Sequence, residues 1–217
     1  MSALQDSAAQ RAAYWPVAVI RAIPAAALGL VITFTADHSA RLGLVSFGVF
    51  ALVSGALLAA LAWRRLADSG VRPFLVAQGA VTAVLGLVAI LLQGGGIVAV
   101  LSILTTFALL TGFLELYSGL RTRRRFVASG DWRVGGILTV LAGVAFLLVP
   151  PELHQRVSTP EGTTGVLDAS IVAVGILGAY GAILAIYLLI AGFSAKWGTQ
   201  SASAVPAETQ TKGGPAA

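Results

Sequence analysis

The chain contains no cysteine and only two histidines in 217 residues. Disulfides, thiol nucleophiles and thiolate metal sites are therefore excluded. Charge is scarce as well: Asp, Glu, Lys and Arg make up 11% of the residues against 57% hydrophobic ones, and mean hydropathy is +0.89. So little polar surface cannot cover a soluble globule. No Walker loop, GxSxG elbow, HExxH or dinucleotide fingerprint occurs; the glycine-rich QGGGIV from Gln93 to Val98 lies between two apolar runs and reads as a tight turn. Neither a catalytic residue nor a cofactor nor a metal is expected, and the chain does not read as an enzyme.

What is present is a set of six predominantly apolar runs, at about residues 16–35, 42–62, 73–92, 97–119, 134–150 and 170–193. Each is close to the ~20 residues a helix needs to cross a ~30 Å hydrocarbon core. The expected fold is all-α, a polytopic membrane protein of six transmembrane helices over residues 15–194, with the bilayer as its obligatory partner. A polar segment, 1–14, precedes them and lacks the charged lead-in to a short cleavable apolar stretch, so the first span reads as retained. Residues 195–217, rich in Ser, Thr, Pro, Gly and Ala, read as a disordered tail.

Basic residues stay on the cytoplasmic side during insertion, and here their asymmetry is large. Eleven of the fourteen fall on one side: Arg11, Arg64, Arg65, Arg72, Arg121, Arg123, Arg124, Arg125, Arg133, Lys196 and Lys212. Arg41 and Arg156 lie on the other, with the acids Asp37, Glu152, Glu161 and Asp168. Trp15, Trp63, Trp132 and Trp197 all sit at span ends on the basic side, where an indole prefers the headgroups. Both termini are therefore expected in the cytoplasm. This topology, not nucleic acid, accounts for the net charge of +5 and the pI near 10.2. The run Arg121, Arg123, Arg124, Arg125 is also a candidate contact for anionic lipids.

Comparing the chain with itself reveals a repeat of 57 residues. RAIPAAALG (Arg21 to Gly29) aligns with QGAVTAVLG (Gln78 to Gly86) and GGILTVLAG (Gly135 to Gly143), and FALVSG (Phe50 to Gly55) with FALLTG (Phe107 to Gly112). In the last unit, GAYGAILAIY (Gly178 to Tyr187) stands in more weakly for TGFLELY (Thr111 to Tyr117). Each unit holds two helices, an even number, so the three units, about 15–71, 72–131 and 132–194, share one orientation. The six helices are thus three parallel two-helix repeats, with the repeated glycines read as helix-packing positions rather than pore lining. Ser54 and Thr111, each preceding a repeated glycine, can bond back to their own helices.

Three such hairpins, each with a small-residue first helix ending in Gly, a polar loop and a Phe-x-x-x-Ser/Thr-Gly turn in the second, resemble the HdeD-like acid-resistance membrane proteins over roughly residues 14 to 194. The first two outer loops, TADHSARLG and QGGG, lack the proline common there. The resemblance implies a small six-helix inner-membrane protein associated with acid tolerance, with no catalytic residues to carry over.

Two ionisable residues lie inside the spans, Arg21 and Glu115, and such groups cost several kcal/mol unless paired or hydrated. Counting 1.5 Å per residue from Trp15, Arg72 and Arg121 puts Arg21, Gln78 and Glu115 at one depth, about 9 Å inside the basic interface. They form a candidate intramembrane polar cluster, with Tyr117 near its mouth. A proton or ion site, a structural ion pair and an arginine snorkelling to the headgroups all fit this pattern, the structural readings more simply. On the outer side, Asp37 with His38 and Glu152 with His154 form candidate pH-responsive loops, against the plainer reading of solvated loop histidines. These four residues have no short ligand spacing to suggest a metal. The charges lie in one third of the membrane only, so a structural or stress-tolerance protein is expected ahead of a small-solute or proton transporter.

Overall fold

The computed structural model describes residues 2–66, 70–158 and 164–203. Six helices dominate it: α1 (Ser2–Phe34), α2 (Ala40–Arg65), α3 (Arg72–Leu91), α4 (Gly96–Arg121), α5 (Ser129–Leu147) and α6 (Ala169–Ser203). Each contains a stretch long and apolar enough to cross a membrane. Helices are what such runs must form, because a bilayer offers no partner to an unpaired backbone group. The surface fits this setting, with Ile23, Phe34, Val84, Leu91, Phe113 and Ile186 all exposed. The chain is an integral, multi-pass membrane protein.

The boundaries follow local chemistry. Ser39 caps α2 by accepting from the Leu42 N–H at 3.2 Å, and Asp37 in turn accepts from the Ser39 N–H and hydroxyl at 2.8 and 3.0 Å. Pro73 in the first turn opens α3, where a missing N–H costs nothing. Gly96 adopts a φ of +63° in the tight turn that begins α4. Two helices are longer than expected from hydropathy. α1 extends back to Ser2 through the segment read as a polar lead-in, and α6 runs on to Ser203, taking in the first nine residues of the expected disordered tail. Both extensions are rich in Ala, Ser and Gln, which a hydropathy window ends on but a helix accepts. The remainder of the expected tail, 204–217 with Lys212, lies outside the described residues, as does Glu161.

A second departure lies between α5 and α6. The expected loop forms an antiparallel hairpin of β1 (His154–Ser158) and β2 (Thr164–Asp168), with His154 opposite Asp168. Asp168 also caps α6, accepting from the Ile171 N–H at 3.0 Å. Five-residue strands on the surface leave too little periodic pattern to read in advance. This end of the bundle is the hairpin end, and the opposite one, which carries Arg121 to Arg125, is the arginine end.

The helices form a closed ring in chain order. The broad interfaces join successive repeats, α2 with α3, α4 with α5 and α6 back to α1, whereas the two helices within a repeat touch less. α2, α4 and α6 also meet one another at the centre. Three two-helix units thus surround one axis along the bundle, and the glycines spaced 57 apart do one job at each junction. A Cβ at Gly86 would lie 2.7 Å from the backbone nitrogen of Leu52 on α2, and one at Gly29 would lie 2.9 Å from that of Ala182 on α6. Gly143 faces the same level of α4 less tightly, against the side chains of Leu109 and Ala108 at 3.0 and 3.1 Å. Ala182 is therefore the counterpart of Leu52 and Leu109. Pairing Tyr187 with Tyr117 by sequence slides α6 by three residues, close to one helical turn, an error its Gly/Ala/Ile composition invites.

Not every aromatic at a span end is a headgroup anchor. Trp63 and Trp197 are exposed, but Trp132 is fully buried, stacked on Phe126 at 5.2 Å and edge-on to Tyr14 at 6.2 Å. It belongs to an apolar cluster with Val17, Leu66, Val71 and Leu75 that closes the arginine end.

Backbone contact makes the junctions intolerant of side chains. Gly136→Leu, whose Cβ would meet the Leu116 nitrogen at 2.5 Å and the Gly112 oxygen at 2.8 Å, should destabilise the protein by about 3 kcal/mol. Gly175→Ala, with nothing within 4 Å, should stay within about 0.5 kcal/mol of the parent. Thermal unfolding in detergent reads both; equal effects would show that the glycines are not packing positions.

Candidate functional site

Arg21, Gln78 and Gly135 are repeat equivalents on α1, α3 and α5, and the ring turns all three toward the axis at one level. There they meet Glu115 of α4. The Arg21 Nη1 donates to Glu115 Oε1 at 3.0 Å, and the Gln78 Nε2 donates to Oε2 at 3.1 Å. At the third position, Gly135 leaves room: a Cβ there would stand 3.4 Å from Glu115 Oε1. One position thus supplies a charge, one a neutral donor and one a space. The side chains of Arg21 and Glu115 are 11% and 5% exposed, so the arginine does not snorkel outward. Pairing is what makes either charge tolerable at this depth.

Above the carboxylate, toward the hairpin end, lies a cavity of about 30 Å³ lined by hydroxyls from five helices: Ser54, Thr82, Thr111, Thr139 and Tyr180. Three of them are spent on their own helices. Thr82 donates to the Gln78 carbonyl at 2.7 Å, Thr111 to that of Phe107 at 2.7 Å and Thr139 to that of Gly135 at 2.9 Å. With its proton so used, Thr139 accepts from the Tyr180 hydroxyl at 3.1 Å. Ser54, the repeat equivalent of Thr111, does not bond back; its Oγ and the Gln78 Oε1 are buried without a partner.

Aromatic and aliphatic side chains close both ends of this polar zone. Phe50, Phe107 and Tyr180, equivalent positions in the three repeats, meet on the axis with ring centroids 6.4 Å apart from Phe50 to Phe107 and from Phe107 to Tyr180. Beyond them the hairpin half is apolar, with Leu44, Phe47, Leu104, Phe146 and Leu177 buried. Leu58 and Leu188, the counterparts of Glu115, line the cavity. The cluster around Trp132 follows at the arginine end.

The other expected residues fall elsewhere. Tyr117 is not at the mouth of the cluster: it is 43% exposed, packs edge-on to Phe74 at 5.0 Å and accepts from Arg121 Nη1 at 3.0 Å. Two positions along a helix turn a side chain through about 200°, so Glu115 and Tyr117 face opposite ways. His38 contacts its own loop through the Ala36 carbonyl at 3.3 Å while Asp37 serves the α2 cap, and Glu152 and His154 are exposed. Among the described residues, no three His, Asp or Glu side chains gather as metal ligands. Arg121, Arg123, Arg124 and Arg125 are exposed around a concavity of about 550 Å³ whose lining includes Arg121, Arg123 and Arg125.

Sequence reasoning missed Thr82, Thr139 and Tyr180 as members of the site, although Thr82 and Thr139 are 57 apart and one turn beyond Gln78 and Gly135. It also missed Gln10, which fastens the arginine turn by accepting from the Val127 N–H at 3.0 Å and donating to the Arg125 carbonyl at 3.3 Å.

Removing one partner of the buried pair, by Arg21→Ala or Glu115→Ala, should cost about 3–5 kcal/mol and lower the folded yield. Combining Arg21→Glu with Glu115→Arg should restore part of it, and Tyr117→Leu should leave it unchanged. Folded yield by size exclusion in detergent decides: no recovery in the swap would mean that the pair is not what holds these helices.

No protein-family model, curated protein or solved structure matches the chain, so its function is read from its own side chains.

Proposed function

We propose that this protein is a closed, non-conducting module of a bacterial cytoplasmic membrane, with a structural or stress-protective role and its arginine end in the cytoplasm. One observation carries the reading: the polar groups on the axis lie between apolar layers, Phe50, Phe107 and Tyr180 on one side and the Trp132 cluster on the other. A transporter fold places its site at broken helices open to one side in turn, whereas these charges are bound to each other between two apolar layers. The orientation rests on the arginine excess, and a role in acid tolerance on the resemblance of the three hairpins to the HdeD-like proteins.

The arginine end suits an anionic lipid headgroup. Arg121, Arg123 and Arg125 border a concavity with Gly70 and Thr122, and the Arg121 guanidinium also covers the Phe74 ring at 5.5 Å. Arg124 takes a left-handed φ of 66° in the turn that spreads this run.

Purified protein in proteoliposomes should leave the proton leak at that of protein-free vesicles between pH 4 and 7, read with an entrapped pH dye; leak above that level would replace this reading with a proton pathway. Arg123→Gln and Arg125→Gln should each weaken retention of phosphatidylglycerol over phosphatidylcholine by about 1 kcal/mol, measured by native mass spectrometry. Unchanged retention would leave the arginines with topology alone.

A further inference from the structure

The axial cavity contains an unfinished set of hydrogen bonds. The Gln78 amide cannot be turned over: its nitrogen is committed to Glu115 Oε2, and a flip would set oxygen against oxygen. Its Oε1 is thus fixed toward the cavity as an acceptor with no donor. The Ser54 hydroxyl on α2 lines the same cavity, also without a partner, although Thr111, Thr82 and Thr139 all bond to carbonyls of their own helices. Leaving a buried polar group unpaired costs about 1–3 kcal/mol. Two orphans facing one space point to a guest that serves both.

We propose that this cavity binds an internal water molecule bridging Ser54 on α2 to Gln78 on α3. The guest must be neutral, because the charges of Arg21 and Glu115 already cancel, and must both donate and accept. Water does so, giving a proton to Gln78 Oε1 and accepting the Ser54 proton. The volume of about 30 Å³ accommodates it, since about 10–15 Å³ of such space holds one water. A larger solute does not fit beside the Phe50 and Phe107 rings. The bridge spans the α2–α3 junction, where Gly55 and Gly79 already bring the backbones together, so the water completes an interface as well as a site. It also hydrates the second sphere of the Glu115 carboxylate, through Gln78, in the middle of an apolar bundle. An enclosed water is not a pathway, so this site and the closed reading of the bundle stand or fall separately.

Water-edited solid-state NMR on protein in lipid, with the Gln78 side-chain amide assigned, tests it. Magnetisation should pass from water to the Gln78 amide in the parent protein. Ser54→Val, which fills the hydroxyl's place with methyl groups, should abolish that transfer, and Ser54→Thr, whose oxygen still accepts from the water when its proton goes to its own helix as that of Thr111 does, should retain it. The Glu115 carboxyl shift, unchanged across the three, certifies that the fold and the ion pair are intact. Absence of transfer in the parent, or transfer that survives Ser54→Val with that shift intact, overturns the proposal. Proton leak in proteoliposomes, by contrast, tests only the closed reading.

Discussion

Within a bilayer, helices gain little by hiding apolar surface from lipid, so their association depends on how closely backbones can approach. In this bundle the approach is set at the junctions between repeats, where Gly55 meets Gly79 and Gly112 meets Gly136 with no side chain between the backbones. At the α1–α6 junction Ala22 and Ala185 occupy the corresponding positions, both buried. The ring closes because all three junctions use small residues at the same heights. The cavity, the aromatic layer and the ion pair are consequences of that closure, since each needs α2, α4 and α6 held a fixed distance from the axis.

Given that frame, the chemistry of the centre follows from side-chain length. An arginine on a first helix and a glutamate on a second reach each other only if their helices stand at that spacing and their depths agree. Gln78 and Gly135 then complete the level, one by donating and the other by keeping clear. The layer of Phe50, Phe107 and Tyr180 separates this polar half from the dry half. Among the described residues, the buried polar side chains lie on the arginine side of that layer, and the charges of Arg21 and Glu115 are balanced within the cluster.

Much of this was legible in the sequence because hydropathy and a 57-residue period are long-range signals that survive local noise. The shared depth of Arg21, Gln78 and Glu115 needed only the helical rise and the positions of flanking arginines. What could not be read depends on azimuth rather than depth. Tyr117 was placed by height and faces outward, and Trp132 was placed by its span end and is buried. Ser54 could be read as bonding to its helix like Thr111, because nothing in the sequence separates the two hydroxyls. The β1–β2 hairpin and the ends of α1 and α6 lie where hydropathy carries no information about backbone shape. The three-residue slip in α6 shows the remaining limit: in a helix built from Gly, Ala and Ile, one turn looks much like the next.

The level of Arg21, Gln78 and Gly135 also shows what joining the hairpins into one polypeptide permits. Three separate, identical hairpins around the same axis would present three copies of whatever residue stood there. Three guanidinium groups would repel one another, three glutamines would have no carboxylate to hold, and three glycines would leave a void. A single chain escapes that arithmetic, because each copy can be edited alone, and one ion pair can stand by itself on an axis where rotational symmetry would demand three of everything.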